Sequence, residues 1–164
     1  ASWGGPGCSK SLNRTIDDLN AKNVLFVSAA GNESQNIDLL PSYPASHESA
    51  THISVAAMTD DEYTAGFSNY GNIVHIAAPG VNILSTYPGN DTAIQHGTSM
   101  AAPFVSGAAA LLFSAFPQAK AIEIKEALMS SVTPGPYPVS SRGALNVAGA
   151  YQKLKTKYGN ASRR

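Results

Sequence analysis

From Thr92 to Ala119 the chain carries no lysine, arginine, aspartate or glutamate. An uncharged stretch of that length either crosses a membrane or forms the buried centre of a domain. Its middle, residues 100 to 116, reads MAAPFVSGAAALLFSAF. That segment sits at the short end of a bilayer span, holds Pro103, Ser106 and Gly107, and has no basic cluster close by. Its alanines and glycine suit a helix packed close to a sheet, because small side chains let backbones approach. A central helix inside a globular domain is therefore expected, with no membrane span. The 164 residues suffice for one such domain, which would bury ~70% of its unfolded surface.

The rest of the chain supplies the sheet. Leu12, Ile16 and Leu19 share one helical face, predicting a helix over 9–22 with Ser9 or Ser11 as its cap. Val24 to Val27 is a continuous apolar run, as for a strand buried on both faces. Residues 33–50 read as a loop broken by Pro41 and Pro44. Further buried strands are expected at 52–57, 73–77 and 81–86, followed by a turn at 87–91. Helical spacing returns at 121–130, and a Pro/Gly-rich loop fills 133–143. Asn146 is placed to cap a last helix bearing Val147, Tyr151, Leu154 and Tyr158 on one face. Helix, strands, then helices predict an α/β fold with helices covering a largely parallel sheet.

Charge and cysteine narrow the function. Eleven basic residues balance 11 acidic ones, so nothing in the charge favours nucleic acid or an anionic membrane. Cys8 stands alone, which excludes an internal disulfide and a cysteine metal cluster. The chain opens at Ala1 without methionine and without a basic segment followed by an apolar one, so a processed product without a signal peptide is expected. Asn13, Asn32, Asn90 and Asn160 begin N-glycosylation tripeptides, a pointer to a secretory route.

The chemistry gathers around Ser99. Gly97 frees the backbone for a tight turn, and a helix starting near Thr98 puts Ser99 among outward-pointing N–H groups. An oxyanion formed there would be stabilised; a serine or threonine acting only as a cap explains the same pattern. Asn32 follows a buried strand in SAAGN, at the carboxyl end where parallel sheets gather their sites. Its amide either donates to such an oxyanion or holds a turn.

GTSMAAPFVSGAAALL (97–112) resembles the nucleophile segment of the subtilisin-like serine proteases, the subtilases. SWGG (2–5) is similar to their substrate-binding strand, and VSAAGN (27–32) to the strand carrying their oxyanion asparagine. YPAS (43–46), FSNYG (67–71), IAAPG (76–80) and GALNVAGA (143–150) resemble later signatures in the family's order, so the likeness runs from Ser2 to about Tyr151. The resemblance implies a three-layer α/β fold, its largely parallel sheet flanked by helices, with 1–164 as the C-terminal part of a catalytic domain. It implies Ser99 as nucleophile, the Ser99 N–H and Asn32 side chain as oxyanion donors, and Thr98 as their support. Ser2, Trp3 and Gly4 would pair with an extended peptide substrate. Ala29, Ala30, Gly31, Tyr43, Pro44 and Ala45 would line the pocket beside the scissile bond.

A serine needs a base and a carboxylate to orient that base. In the family's order both precede SWGG, so the resemblance implies that they lie in an N-terminal half outside this chain and that the chain alone is inactive. His96 is too close to Ser99 along the chain to reach its hydroxyl, His75 reads as a sheet histidine, and His47 and His52 match no position of the base. Phe104-Val105-Ser106 stand where the family usually has His-Val-Ala, a change expected to alter packing behind the nucleophile. No cofactor is required for the chemistry. Structural calcium belongs to some members of the family, but the segment after Pro44 departs from the bacterial pattern and no site is assigned. A glycan on Asn32 would block the oxyanion site, so that asparagine is expected to be unmodified. The resemblance further implies secretion. The competing reading is a non-catalytic module of the same fold that binds extended peptides.

Overall fold

Ile16 is the buried residue of the first helix, α1 (Lys10–Ala21). Ser9 caps it by accepting the Leu12 N–H at 3.3 Å. The next strand begins later than the apolar run suggests. The Val24 N–H is spent on the Leu19 carbonyl that ends the helix (2.9 Å), and Val24 stays 42% exposed. β1 is therefore Phe26–Ala29. The computed structural model describes residues 1–159; the tripeptide beginning at Asn160 lies outside them.

β1, β2 (His52–Met58) and β3 (Ile76–Pro79) pair in parallel, with Val27 opposite Ile53 and Val55 opposite Ile76. β3 starts three residues after the expected 73, because Val74 turns back to the Gly71 carbonyl (3.2 Å). Strand residues alternate between two cores, as the two-residue period of a strand requires. Ile53, Val55, Ala57, Ile76 and Ala78 face the helices, whereas Ala56 and Ala77 face loop residues including Ile37, Ala45, Tyr137 and Val139.

One expectation fails at 81–86. These residues do not enter the main sheet. β4 (Ile83–Tyr87) pairs antiparallel with β5 (Asp91–Gln95) as a separate hairpin, and β4 is mostly exposed. The turn expected at 87–91 explains this, since Gly89 and Asn90 both take positive φ and fold the strand back on itself. Ser85 and Thr86 then face water at no cost.

The helix α2 (Thr98–Ala115) crosses β1, β2 and β3. By length and apolarity it could span a membrane, but Ala101, Ala102, Val105, Ala108, Ala109 and Leu112 are buried in the core against the sheet. α3 (Ala121–Ser130) has the bounds its periodicity predicts. The loop at 133–143 hides two short strands, β6 (Thr133–Pro134) and β7 (Gly143–Ala144); β7 is parallel to β3 and β6 antiparallel to β7. The sheet order is β1-β2-β3-β7-β6. α4 (Val147–Tyr158) is capped by Asn146, which accepts the Gly149 N–H at 2.8 Å. Tyr151 and Tyr158 pack their rings 5.2 and 6.3 Å from Phe116.

Candidate active site

β1 delivers its chain to the carboxyl end of the sheet, and there Asn32 meets the first turn of α2. The Thr98 N–H and the Thr98 hydroxyl both donate to Asn32 Oδ1, at 2.9 and 3.0 Å. A backbone N–H can only donate, so the acceptor it meets must be the amide oxygen. This fixes the orientation of Asn32 and turns its Nδ2 away, with no partner among the described residues. Thr98 is itself buried and accepts the Gly31 N–H at 3.1 Å. Its side chain thus ties the end of β1 to the start of α2.

Gly97 explains why the site is open. Its φ is +152°, and a Cβ built there would lie 3.6 Å from both Asn32 Nδ2 and the Ser99 N. Two donors therefore border the space a side chain would occupy. The Ser99 N–H is in the first turn, where α-helical partners are absent and the dipole favours negative charge. Asn32 and the Ser99 N–H are together suited to bind an oxyanion. Gly80 supports Gly97 from below: its carbonyl accepts the Gly97 N–H at 2.8 Å, and a Cβ on it would sit 2.5 Å from Ala57 Cβ and 2.9 Å from the Gly97 carbonyl. Gly80→Ala is expected to lower stability by ~1–3 kcal/mol, read as a shift in the urea midpoint.

Asn69 holds the Asn32 loop from behind and was not legible as a site residue. It is fully buried. Its Nδ2 donates to the Ala30 carbonyl (3.0 Å) and Glu33 Oε2 (2.6 Å), and its Oδ1 accepts the N–H groups of Glu33 (3.1 Å) and Gln35 (2.9 Å). Gly31, at φ +104°, has no room for a side chain beside Asn69.

Ser99 is half-buried and its hydroxyl donates to the Ser2 carbonyl at 2.9 Å. Ser2 returns the contact, donating its own hydroxyl to the Ser99 carbonyl at 2.9 Å. Pro103 makes that return bond available. Four residues along the helix, it lacks the N–H that would otherwise bond Ser99. The Ala1 carbonyl accepts the Ala29 N–H (2.9 Å), and Gly5 pairs with Tyr43 through bonds of 2.9 and 2.7 Å. Ser2, Trp3 and Gly4 thus run past Ser99 between β1 and the Tyr43 loop. Trp3 is 57% exposed. Ala29, Ala30, Pro44 and Ala45 are buried, while Gly31 and Tyr43 are half-buried at the surface of the same region.

None of the four histidines bonds to Ser99 among the described residues. His96 Nδ1 accepts the Asn82 N–H (3.0 Å), and His47 pairs with Asp17 (2.9 Å). His52 Nε2 lies 2.8 Å from Ser28 Oγ while its Nδ1 meets the His47 carbonyl (2.7 Å). That arrangement is like a nucleophile with its base, but both side chains are fully buried and no substrate reaches them. Burial holds His52 at about 4, with the Lys125 charge adding to the effect. His75 is held at about 3 for the same two reasons, in the same order.

A groove of about 730 Å³ opens beside Ser99, between the hairpin and α2, lined by Leu84, Tyr87, Met100, Phe104 and Leu111 among others. Phe104 is 43% exposed, so the departure at this position changes the groove wall and not the core. Among the described residues no three His, Cys, Asp or Glu side chains gather as a metal site. The cavity beside the loop after Pro44 is lined by Lys125, His47 and His75 with Glu48 as its one carboxylate.

Residues 1–161 match the model of the subtilase family. Subtilisin DY of Bacillus licheniformis is 38% identical over 153 residues, covering 92% of this chain and 55% of that protein. Subtilisin Savinase of Lederbergia lenta is 37% identical over 149 residues, covering 91% and 51%. The chain spans about half the length of the curated relatives it matches. Solved structures share its fold, among them two proteases. The prenylagaramide maturation protease superposes with a TM-score of 0.82 at 33% identity, covering 94% of this chain and 60% of that one. A protease of Pseudoalteromonas arctica superposes at 0.84 and 31%, covering 93% and 50%. In sequence and in fold, the chain belongs to the subtilase family.

Proposed function

We propose that this chain is the nucleophile-bearing part of a subtilisin-like serine endopeptidase. The observation that carries the reading is the pair of donors, Asn32 Nδ2 and the Ser99 N–H, bordering one space beside the Ser99 hydroxyl. A peptide carbonyl placed there with its oxygen toward the donors exposes its carbon to Ser99 Oγ. Attack forms the Oγ–C bond and moves the carbonyl electron pair onto oxygen, where the two donors hold it. The Ser99 proton passes to a base outside this chain and then to the leaving amine as the C–N bond breaks. Water hydrolyses the resulting acyl-enzyme by the same steps.

In this chain the Ser99 proton is shared with the Ser2 carbonyl, an acceptor too weak to remove it. The chain alone is therefore inactive. The base and its orienting carboxylate come from the other half of the catalytic domain, which is seated in the apolar groove against α2 with Ser99 on its rim. The substrate lies as an added strand along Ser2, Trp3 and Gly4, with its side chain toward Gly31 and the Tyr43-Pro44-Ala45 segment. Thr98 keeps Asn32 aimed. The chemistry needs no cofactor, α2 is a core helix and not a membrane span, and the enzyme acts outside the cell, as the family likeness suggests.

Complementation tests the reading. The chain is mixed with an upstream fragment carrying the missing aspartate and histidine, and hydrolysis of a chromogenic peptide anilide is followed. Turnover in the mixture and none in either part alone is the expected result. A mixture that associates and binds peptide without turnover would make this a non-catalytic peptide-binding module.

A further inference from the structure

At the amino ends of β2 and β3, the end of the sheet away from Ser99, a cavity of about 390 Å³ is lined by the 47–50 loop, Asn72, Ile73, His75 and Lys125 of α3. Three of its polar groups, on Lys125, His75 and Ser49, are donors without a close acceptor, and Glu48 is its one carboxylate. Lys125 makes no ion pair among the described residues, and its nearest acceptor is the Ser49 carbonyl at 3.5 Å, beyond ordinary hydrogen-bond length. His75 Nδ1 accepts the Ser54 N–H at 3.0 Å. That nitrogen must carry the lone pair, so in the neutral ring the proton sits on Nε2, which has no partner among the described residues. Ser49 holds a buried hydroxyl that also lacks one.

Every other charged or titratable group near the cavity is accounted for. His47 is engaged with Asp17, and His52 with Ser28 and the His47 carbonyl. Glu48 is exposed, and no ion pair joins it to Lys125 among the described residues. A partly buried ammonium without a counter-charge is costly. Burial accordingly holds Lys125 below the ordinary lysine range. An anion with several acceptor oxygens would satisfy all three donors at once.

We propose that this cavity binds a small oxyanion, held by Lys125 Nζ, the Nε2–H of His75 and the Ser49 hydroxyl. The site is independent of the peptidase reading and stands or falls apart from it. Equilibrium dialysis of the full chain against inorganic phosphate, at ionic strength fixed with sodium chloride, tests it. One saturable phosphate per chain is expected, and Lys125→Met should weaken it by about tenfold or more, the loss that follows removal of the charged partner of an anion. Ser49→Ala, a smaller change, should weaken it several-fold and guards against misfolding of the first variant. Acetate competing with phosphate would extend the site to carboxylates, and failure to compete would restrict it to phosphate. Absence of saturable binding, or binding unchanged in both variants, overturns the proposal.

Discussion

Asn32→Ala should lower the kcat of the complemented enzyme ~100- to 1000-fold with little change in KM, a size taken from the loss of the same kind of donor in a subtilisin. Asn32 is expected to act only once the carbonyl oxygen becomes charged, so binding of the ground state should be nearly indifferent to it. Its oxygen has a separate task, accepting from the Thr98 N–H and hydroxyl. Alanine removes both tasks. Asn32→Asp keeps the acceptor and the shape but replaces the donor with a carboxylate oxygen, and should lose at least as much activity while the link to Thr98 survives. Steady-state kinetics on the two variants decide the matter. A kcat within a few-fold of the parent for Asn32→Asp would remove the amide from the mechanism.

The second large effect is on stability in mild acid. His52 and His75 are buried neutral, at about 4 and about 3, chiefly because burial disfavours their charged forms. A histidine in the unfolded chain takes its proton near pH 6.5. Since the folded-state values lie below the unfolded ones, the unfolded state binds protons first as pH falls. The stabilisation is complete above about 6.5 and is lost as pH drops, until about pH 4 for His52 and about pH 3 for His75. Between pH 7 and 5 each ring contributes a loss of ~2 kcal/mol, ~4 kcal/mol together, of the order of half the stability of an ordinary domain. Asp38 and Glu123 are also held below their ordinary values, but carboxylates of that kind act at lower pH. Urea unfolding at pH 7 and pH 5 reads the difference directly. Equal midpoints and slopes at the two values would show that these rings are not buried as described.

How far the sequence could be read varies with the range of the interaction involved. Local signals were enough for α3, whose periodicity gave Ala121–Ser130, and for the Ser9 and Asn146 caps. The start of α2 followed from Gly97 and the residues after it, and the two segments of family likeness marked Asn32 and Thr98, which the fold joins. The hairpin was missed because Ile83, Leu84 and Ile94 look like core residues, yet Leu84 and Ile94 are 66% and 59% exposed. Here the turn at Gly89 and Asn90 pairs β4 with β5 as a sheet of their own. Asn69 lies in FSNYG and Ser2 in SWGG, but their bonds run to residues 34 to 39 positions away and 97 positions away respectively, and only the fold sets those partners. Only the fold sets Lys125 beside His75.

The central claim is that the hydroxyl of Ser99 is the attacking group, made reactive by a base from outside this chain. Peptide mapping by mass spectrometry after treatment with a fluorophosphonate tests it most directly. A single adduct on Ser99 is expected in the complemented enzyme, with none in the chain alone. An active complex in which Ser99 stays unmodified while another serine carries the adduct would contradict the account.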